Sequence, residues 1–109
     1  MGDAPLKLPL EIEDIKAILP HRSPFLLVDR ILELETDRRI VGLKSVTSNE
    51  RYFIAGPGGV PTMPASILTE AMAQLAGLLL LRTLELTGGI PVLLSIDRVK
   101  FRRAVVPGD

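Results

Sequence analysis

Pro64-Ala-Ser-Ile-Leu-Thr-Glu-Ala-Met-Ala-Gln-Leu-Ala-Gly-Leu-Leu-Leu-Leu81 is apolar on nearly every side when wound as a helix. It carries polar side chains at Ser66, Glu70 and Gln74. Their i, i+4, i+8 spacing places them on one narrow stripe. A helix apolar all round is normally buried, so a carboxyl on it is expensive unless it is partnered or protonated. Glu70 is therefore either a satisfied structural group or the chemistry of the protein.

Upstream, Ala55-Gly-Pro-Gly-Gly-Val-Pro-Thr-Met-Pro64 holds three glycines and three prolines in ten residues, a constrained loop running straight into the helix. Pro64 suits a first helical turn, where its missing N–H is not needed. Gly88-Gly89 is a stop, which predicts a helix over 64–86. Nearer the N-terminus, apolar residues at 12, 15, 18 and 19 predict a short amphipathic helix over 10–19, ended by Pro20. Phe25–Glu35 and Arg39–Thr47 read as a β-hairpin about Thr36-Asp37-Arg38, and Ser48-Asn49-Glu50 as the start of a helical turn through Phe53. Val92–Val106 reads as a long strand with Arg98, Lys100 and Arg102 on its outer face. Helix, hairpin, long buried helix and strand make an α+β layout in a single domain, residues 1–109. Three strands are too few to cover such a helix, so either the sequence is a fragment or a second chain supplies the cover.

Hydrophobic residues make up 47% and charged residues 24% of the 109 residues, an ordinary globular balance. Thirteen basic and thirteen acidic side chains cancel, which speaks against general affinity for nucleic acid. With no cysteine there are no disulfides, thiolate nucleophiles or cysteine metal sites, which fits a cytoplasmic address. Met1-Gly-Asp-Ala-Pro-Leu lacks the order of a signal peptide, and Leu6 sits where a myristoylation signal wants Ser or Thr. The uninterrupted apolar run Leu75–Leu81 is far short of the ~20 residues that span a bilayer. The expectation is a soluble protein without a membrane span.

Four blocks, Leu19-Pro-His-Arg-Ser-Pro-Phe-Leu-Leu-Val-Asp29, Asn49-Glu50, Glu70-Ala-Met-Ala-Gln74 and Phe101-Arg-Arg-Ala-Val-Val-Pro-Gly-Asp109, resemble the (3R)-hydroxyacyl-[acyl carrier protein] dehydratases of bacterial fatty-acid synthesis (FabZ type). The resemblance runs in order from about Leu10 to Asp109. It implies a hotdog fold, a long central helix wrapped by an antiparallel sheet, here lacking the two C-terminal strands that normally follow Pro-Gly-Asp. It also implies a homodimer or a trimer of dimers, acyl thioesters on acyl carrier protein or CoA as ligands, and no cofactor beyond the phosphopantetheine that arrives with the substrate. No metal is implied.

In that family the catalytic pair is a His in a Gly-His-Phe-Pro loop and a Glu in the helix, meeting at the dimer interface. Glu70 matches the helical member. The His position falls on Gly56, within Ala55-Gly-Pro-Gly58. Dehydration needs a base for the C2 proton and an acid for the leaving hydroxyl, so one role is vacant. The resemblance makes Ala65, Ser66, Gln74, Gly56, Pro57 and Met63 substrate-binding, with the N–H groups at Ala65 and Ser66 polarising the thioester carbonyl and Gln74 orienting a water or side chain. Ala65 stands where the family prefers Gly. Arg98, Lys100, Arg102 and Arg103 are either a solvated strand face or a dock for the acidic carrier protein. His21, the only histidine, reads as a structural loop residue, and Met63, Met72 and Phe53 as core or tunnel wall. Three functions stay open: a dehydratase with impaired or altered catalysis, a non-catalytic subunit completing a pocket with a His-bearing paralogue in a heterodimer, and a hotdog thioesterase using Glu70.

Overall fold

Ile15 and Leu19 are the residues that the amphipathic spacing near the N-terminus places on one face, and both are fully buried. Ile15 lies in α1 (Ile12–Ile18) and Leu19 caps its C-terminal end in the computed structural model, in which residues 7–83 and 94–109 are described. Asp14 accepts the Glu11 N–H at 3.0 Å, tying the helix start. At the other end Arg22 donates to the carbonyls of Leu19 and Lys16 at 2.8 and 3.1 Å, occupying acceptors that a helix C-terminus leaves unpaired.

The hairpin forms from β1 (Arg30–Glu35) and β2 (Arg39–Leu43), antiparallel, with Leu34 opposite Ile40 and a bulge between Ile31 and Glu33. It is shorter than the alternation predicts. Residues 25–29 do not extend β1, because the Leu27 N–H and the Phe25 carbonyl are taken by the side chain of Gln74. Nor does a helical turn form over 48–53; two separate turns stand there. Ile54–Ala55 (β3) and Pro61–Thr62 (β4) form a second, very short antiparallel pair around a 3-10 turn at Pro57–Gly59.

The long helix, α2, spans Ala65–Thr83, about 28 Å; the remainder of the predicted 64–86 span lies outside the described residues. The Pro64 carbonyl opens it by accepting the N–H groups of Ile67 and Leu68 at 3.0 and 3.1 Å. It lies on β2 at Gly42, where an added Cβ would overlap the Leu75 side chain and stand 3.0 Å from its Cδ1. The missing side chain sets that close approach. The Asp37 N–H at the hairpin turn bonds Thr83 Oγ1 at 2.9 Å, tying the far end. Leu10, Ile15, Leu19, Val28, Ile31, Leu78 and Leu81 form the core.

Two expectations are corrected here. Of the described helix only Gln74, Gly77, Leu78 and Leu81 are buried, while Glu70, Met72 and Leu80 are exposed. Apolar character all round signals burial only where every side has cover, and α1 and β2 cover one. As a whole α2 also has the length and composition of a membrane-crossing helix, with a mean hydropathy of 1.3, which its short uninterrupted run did not suggest. The second correction concerns Val92–Val106. Its described part, 94–106, forms no strand. A strand needs a neighbour to pair with, and Arg98 takes a φ of 57°, out of the extended region. Among the described residues, backbone hydrogen bonds tie this segment to the body through the Val105 carbonyl on the Met63 N–H at 2.8 Å and, around Val46, through the Asp109 carbonyl and Gly108 N–H at 3.0 and 2.8 Å.

Candidate functional site

Gln74 is the only buried polar residue among those described, 2% exposed. A buried amide demands partners, and it has three. Its Oε1 accepts the Leu27 N–H at 2.8 Å. Its Nε2 donates to the Phe25 carbonyl at 2.7 Å and to Glu70 Oε2 at 2.8 Å. The i, i+4 spacing makes the last bond possible. The first two lock the amide's orientation, so the donor facing Glu70 is fixed by the loop before β1. Glu70 is thus an exposed carboxylate held in one pose by a buried side chain. Gln74 orients a side chain, Glu70 itself.

Ala65 and Ser66, both exposed, open α2. Their N–H groups lack intrahelical acceptors by construction and lie at the positive end of the helix dipole.

The loop feeding α2 folds tightly. The Gly56 N–H donates to the Val60 carbonyl at 2.8 Å, and the Gly59 N–H to the Gly56 carbonyl at 2.9 Å. Gly58 and Gly59 both take positive φ, 68° and 77°, which favours glycine. A Cβ built on Gly56 would overlap Thr62 Oγ1 and lie 2.8 Å from Thr62 Cβ. The register that sets Ile54 opposite Thr62 and Ala55 opposite Pro61 brings Thr62 back over Gly56. Sequence reasoning missed Thr62, since its role comes from that register. Its signal is a polar residue inside an apolar Val-Pro-Thr-Met-Pro run.

Two cavities adjoin at the start of α2. One, about 370 Å³, is lined by Gly56, Pro57, Met63 and Ala65, together with Thr62, Leu68, Phe101 and Arg103 among others. Four of the predicted substrate-binding residues therefore meet on one wall. The other, about 240 Å³, lies between β2, α2 and residues 100–105, and includes Lys44, Met72, Leu75, Lys100, Arg102 and Arg103. Leu68, Phe101, Arg103 and Val105 line both. Ser66, Glu70 and Gln74 line neither. Of the basic set, Lys100, Arg102 and Arg103 gather at the second cavity and Arg98 stands apart, because the segment is not the even strand whose one face would have carried Arg98, Lys100 and Arg102 together.

Lys44 joins that basic wall without having been singled out. Its ammonium bonds Glu50 at 2.8 Å and faces Asp29 at 3.6 Å. Burial acts most strongly on it and lowers its pKa, but the Glu50 hydrogen bond and the charges of Asp29 and Glu50 outweigh burial and hold it above its usual value. Arg103 pairs with Asp109, and that bond, with the Val106 N–H, holds the Asp109 carboxyl below its usual range. His21 lines neither cavity, and its Nδ1 is buried without a hydrogen-bond partner. Among the described residues no three His, Asp or Glu side chains cluster to hold a metal.

Comparison with known proteins places residues 19–109 against the family described as a FabA-like domain. The chain is 52% identical over 100 residues to the 3-hydroxyacyl-[acyl-carrier-protein] dehydratase FabZ of Herpetosiphon aurantiacus, covering 92% of this chain and 71% of that protein. The protein of the same description from Pelotomaculum thermopropionicum gives the same identity and coverage. That from Desulforamulus reducens is 50% identical, with 92% and 70% covered.

Proposed function

The chain belongs to the FabA-like domain family, with its α+β hotdog fold, and on that premise we propose that it binds acyl thioesters in fatty-acid or polyketide biosynthesis, with dehydration of 3-hydroxyacyl thioesters impaired or altered. The observation that carries this reading is the Gln74–Glu70 bond at 2.8 Å, made by an amide locked from behind. A carboxylate preset in one pose is what proton transfer at a bound ligand requires. Glu70 takes one of the two proton roles, removing the C2 proton or protonating the departing C3 hydroxyl. At Gly56, where the family's resemblance calls for an imidazole, no side chain serves the other.

The N–H groups of Ala65 and Ser66 polarise the thioester carbonyl, lowering the cost of negative charge developing on its oxygen when C2 is deprotonated. Gly56, Pro57 and Met63 shape the cavity beside them. Lys100, Arg102 and Arg103, with Arg98 further off, offer a positive face to an acidic acyl carrier protein. The chain needs no metal and no cofactor beyond the substrate's own phosphopantetheine, and it works in the cytoplasm as a homodimer or trimer of dimers. The separation of Glu70 from the Gly56-lined cavity within one chain supports a pocket completed by a second chain.

The test is dehydration of 3-hydroxyacyl-pantetheine by the purified full chain. Turnover is expected well below that of a His-bearing relative and lost in Glu70→Gln, with ligand binding retained. Unchanged turnover in that variant refutes the role of Glu70. Release of free thiol in place of dehydration moves the reading to a thioesterase.

A second reading, a non-catalytic subunit paired with a His-bearing paralogue, is favoured by one observation: the Thr62 side chain fills the space in which a residue-56 side chain would begin. Under it, adding such a partner raises dehydration above the partner's own rate, and no gain rejects it.

A further inference from the structure

The cavity at the start of α2 is apolar apart from two side chains, Thr62 and Arg103, among the described residues on its wall. Arg103 is engaged by Asp109 at its Nη1. Thr62 is the neutral one, and its hydroxyl is oriented: it donates to the Val60 carbonyl at 3.0 Å, an oxygen that also accepts the Gly56 N–H at 2.8 Å. A hydroxyl has one proton and two lone pairs. With the proton committed to Val60, Thr62 presents itself to the cavity as an acceptor. Its Oγ1 stands where a side chain on residue 56 would begin, since a Cβ built there overlaps it. The absence of a side chain at Gly56 and the presence of a hydroxyl at Thr62 are two halves of one arrangement.

We infer that Thr62 is a specificity-determining residue, its Oγ1 accepting a hydrogen bond from the 3-hydroxyl of the bound acyl chain. This rests on the acyl-thioester reading proposed above. A single acceptor in an apolar cavity orients a ligand that brings a donor, and is left unpaired by one that does not. Because Thr62 is only half-buried, the discrimination is that of one ordinary neutral hydrogen bond, about tenfold in Kd. Pantetheine amides are donors too, so the test compares ligands that share them.

Amide-linked, non-hydrolysable analogues of 3-hydroxydecanoyl-pantetheine and decanoyl-pantetheine are titrated into the full chain by calorimetry. The parent chain is expected to bind the hydroxylated analogue about tenfold more tightly. Thr62→Val keeps the β-branched shape and removes the acceptor, so it levels the two affinities by weakening only the hydroxylated one. Thr62→Ser restores the preference. If the valine variant does not fold, Thr62→Ala serves the same comparison. A preference that survives the valine or alanine substitution overturns the inference, as does equal binding of both analogues by the parent chain. Binding of neither analogue rejects the acyl-thioester reading itself, and the inference with it.

Discussion

Gln74→Met replaces a buried amide by an apolar side chain of similar length and removes three hydrogen bonds at once. The losses are unequal. The Leu27 N–H belongs to a residue 5% exposed, so it stays buried without an acceptor. An orphaned buried donor costs about 1–3 kcal/mol. Phe25 is 72% exposed, and Glu70 is exposed, so both exchange Gln74 for water at little cost. Methionine also avoids burying the polar amide, which offsets part of the loss. The net expectation is about 2 kcal/mol of destabilisation. For a domain of this size that lowers Tm by roughly 10 °C. Thermal unfolding by circular dichroism reads the shift, and amide exchange at Leu27, compared with Ile31 in β1, locates it. Gln74→Glu sharpens the test. It keeps an acceptor for Leu27 but removes both donors and sets a second carboxylate beside Glu70, so its loss of stability grows as pH rises and the two carboxyls ionise. A methionine variant whose Tm stays within a degree or two, with Leu27 exchanging as in the parent, refutes the lock between helix and loop.

Other consequences are as direct. Gly56→His alone is destabilising, because its Cβ meets the Thr62 side chain, and Thr62→Gly relieves it; a double-mutant cycle by thermal unfolding should show a favourable coupling of about 0.5–3 kcal/mol, and additive effects reject the overlap. On the acid side, the Asp109 carboxyl is held below its ordinary 3.8 by Arg103, then by the Val106 N–H. Between that lowered value and 3.8 the unfolded chain binds more protons than the folded one, so the contribution is full above 3.8 and lost as pH falls through the folded value; Asp109→Asn flattens that part of an acid unfolding curve, and an unchanged curve rejects the clasp. On the alkaline side, burial pushes the Tyr52 phenol up from 10.0, against the pull of Lys44, and Lys44 itself is net raised from 10.5. Both groups keep their protons longer in the folded chain, so their contribution is intact below about pH 10 and fades as pH rises through their raised values. Tyr52→Phe removes a buried hydroxyl that has no partner, so it leaves neutral-pH Tm level or slightly higher and weakens the alkaline loss; a clear drop at neutral pH shows that the hydroxyl is bonded.

What the sequence revealed follows the range of the interaction involved. α2 was legible because helix formation is local, from Pro64 at its start through its apolar run. The turn at Thr36-Asp37-Arg38 was legible for the same reason. The length of the hairpin was not, since whether residues 25–29 join a sheet depends on Gln74, far along the chain, offering its amide to their backbone first. The alternation over Val92–Val106 expressed a capacity for strand, and pairing is what a single segment cannot specify. Gly56, Pro57, Met63 and Ala65 were singled out through resemblance, and they share a wall because the loop doubles back at Pro57–Gly59. Thr62 belongs to that wall through a cross-strand register that no spacing along the chain announces.

The stripe of Ser66, Glu70 and Gln74 acquires a direction from its burial. Gln74 lies at the buried end, and Ser66 and Glu70 at the open one. In water the Glu70 carboxylate is inexpensive, so the original objection to a charge on an apolar helix does not apply to the chain as it stands. It returns when the exposed side of α2 is covered, because a carboxylate stripped of water must be hydrogen-bonded to remain charged. Gln74 already supplies one donor, to Oε2. Oε1 has no donor among the described residues, so any surface or ligand that closes over this face has to bring one. An acyl chain with a purely apolar end turned toward Glu70 fails that requirement, while a ligand presenting an acidic C–H, a hydroxyl or a water meets it. On the proposed acyl-thioester reading that requirement falls on the ligand: Gln74 satisfies one oxygen of Glu70, and the ligand would satisfy the other.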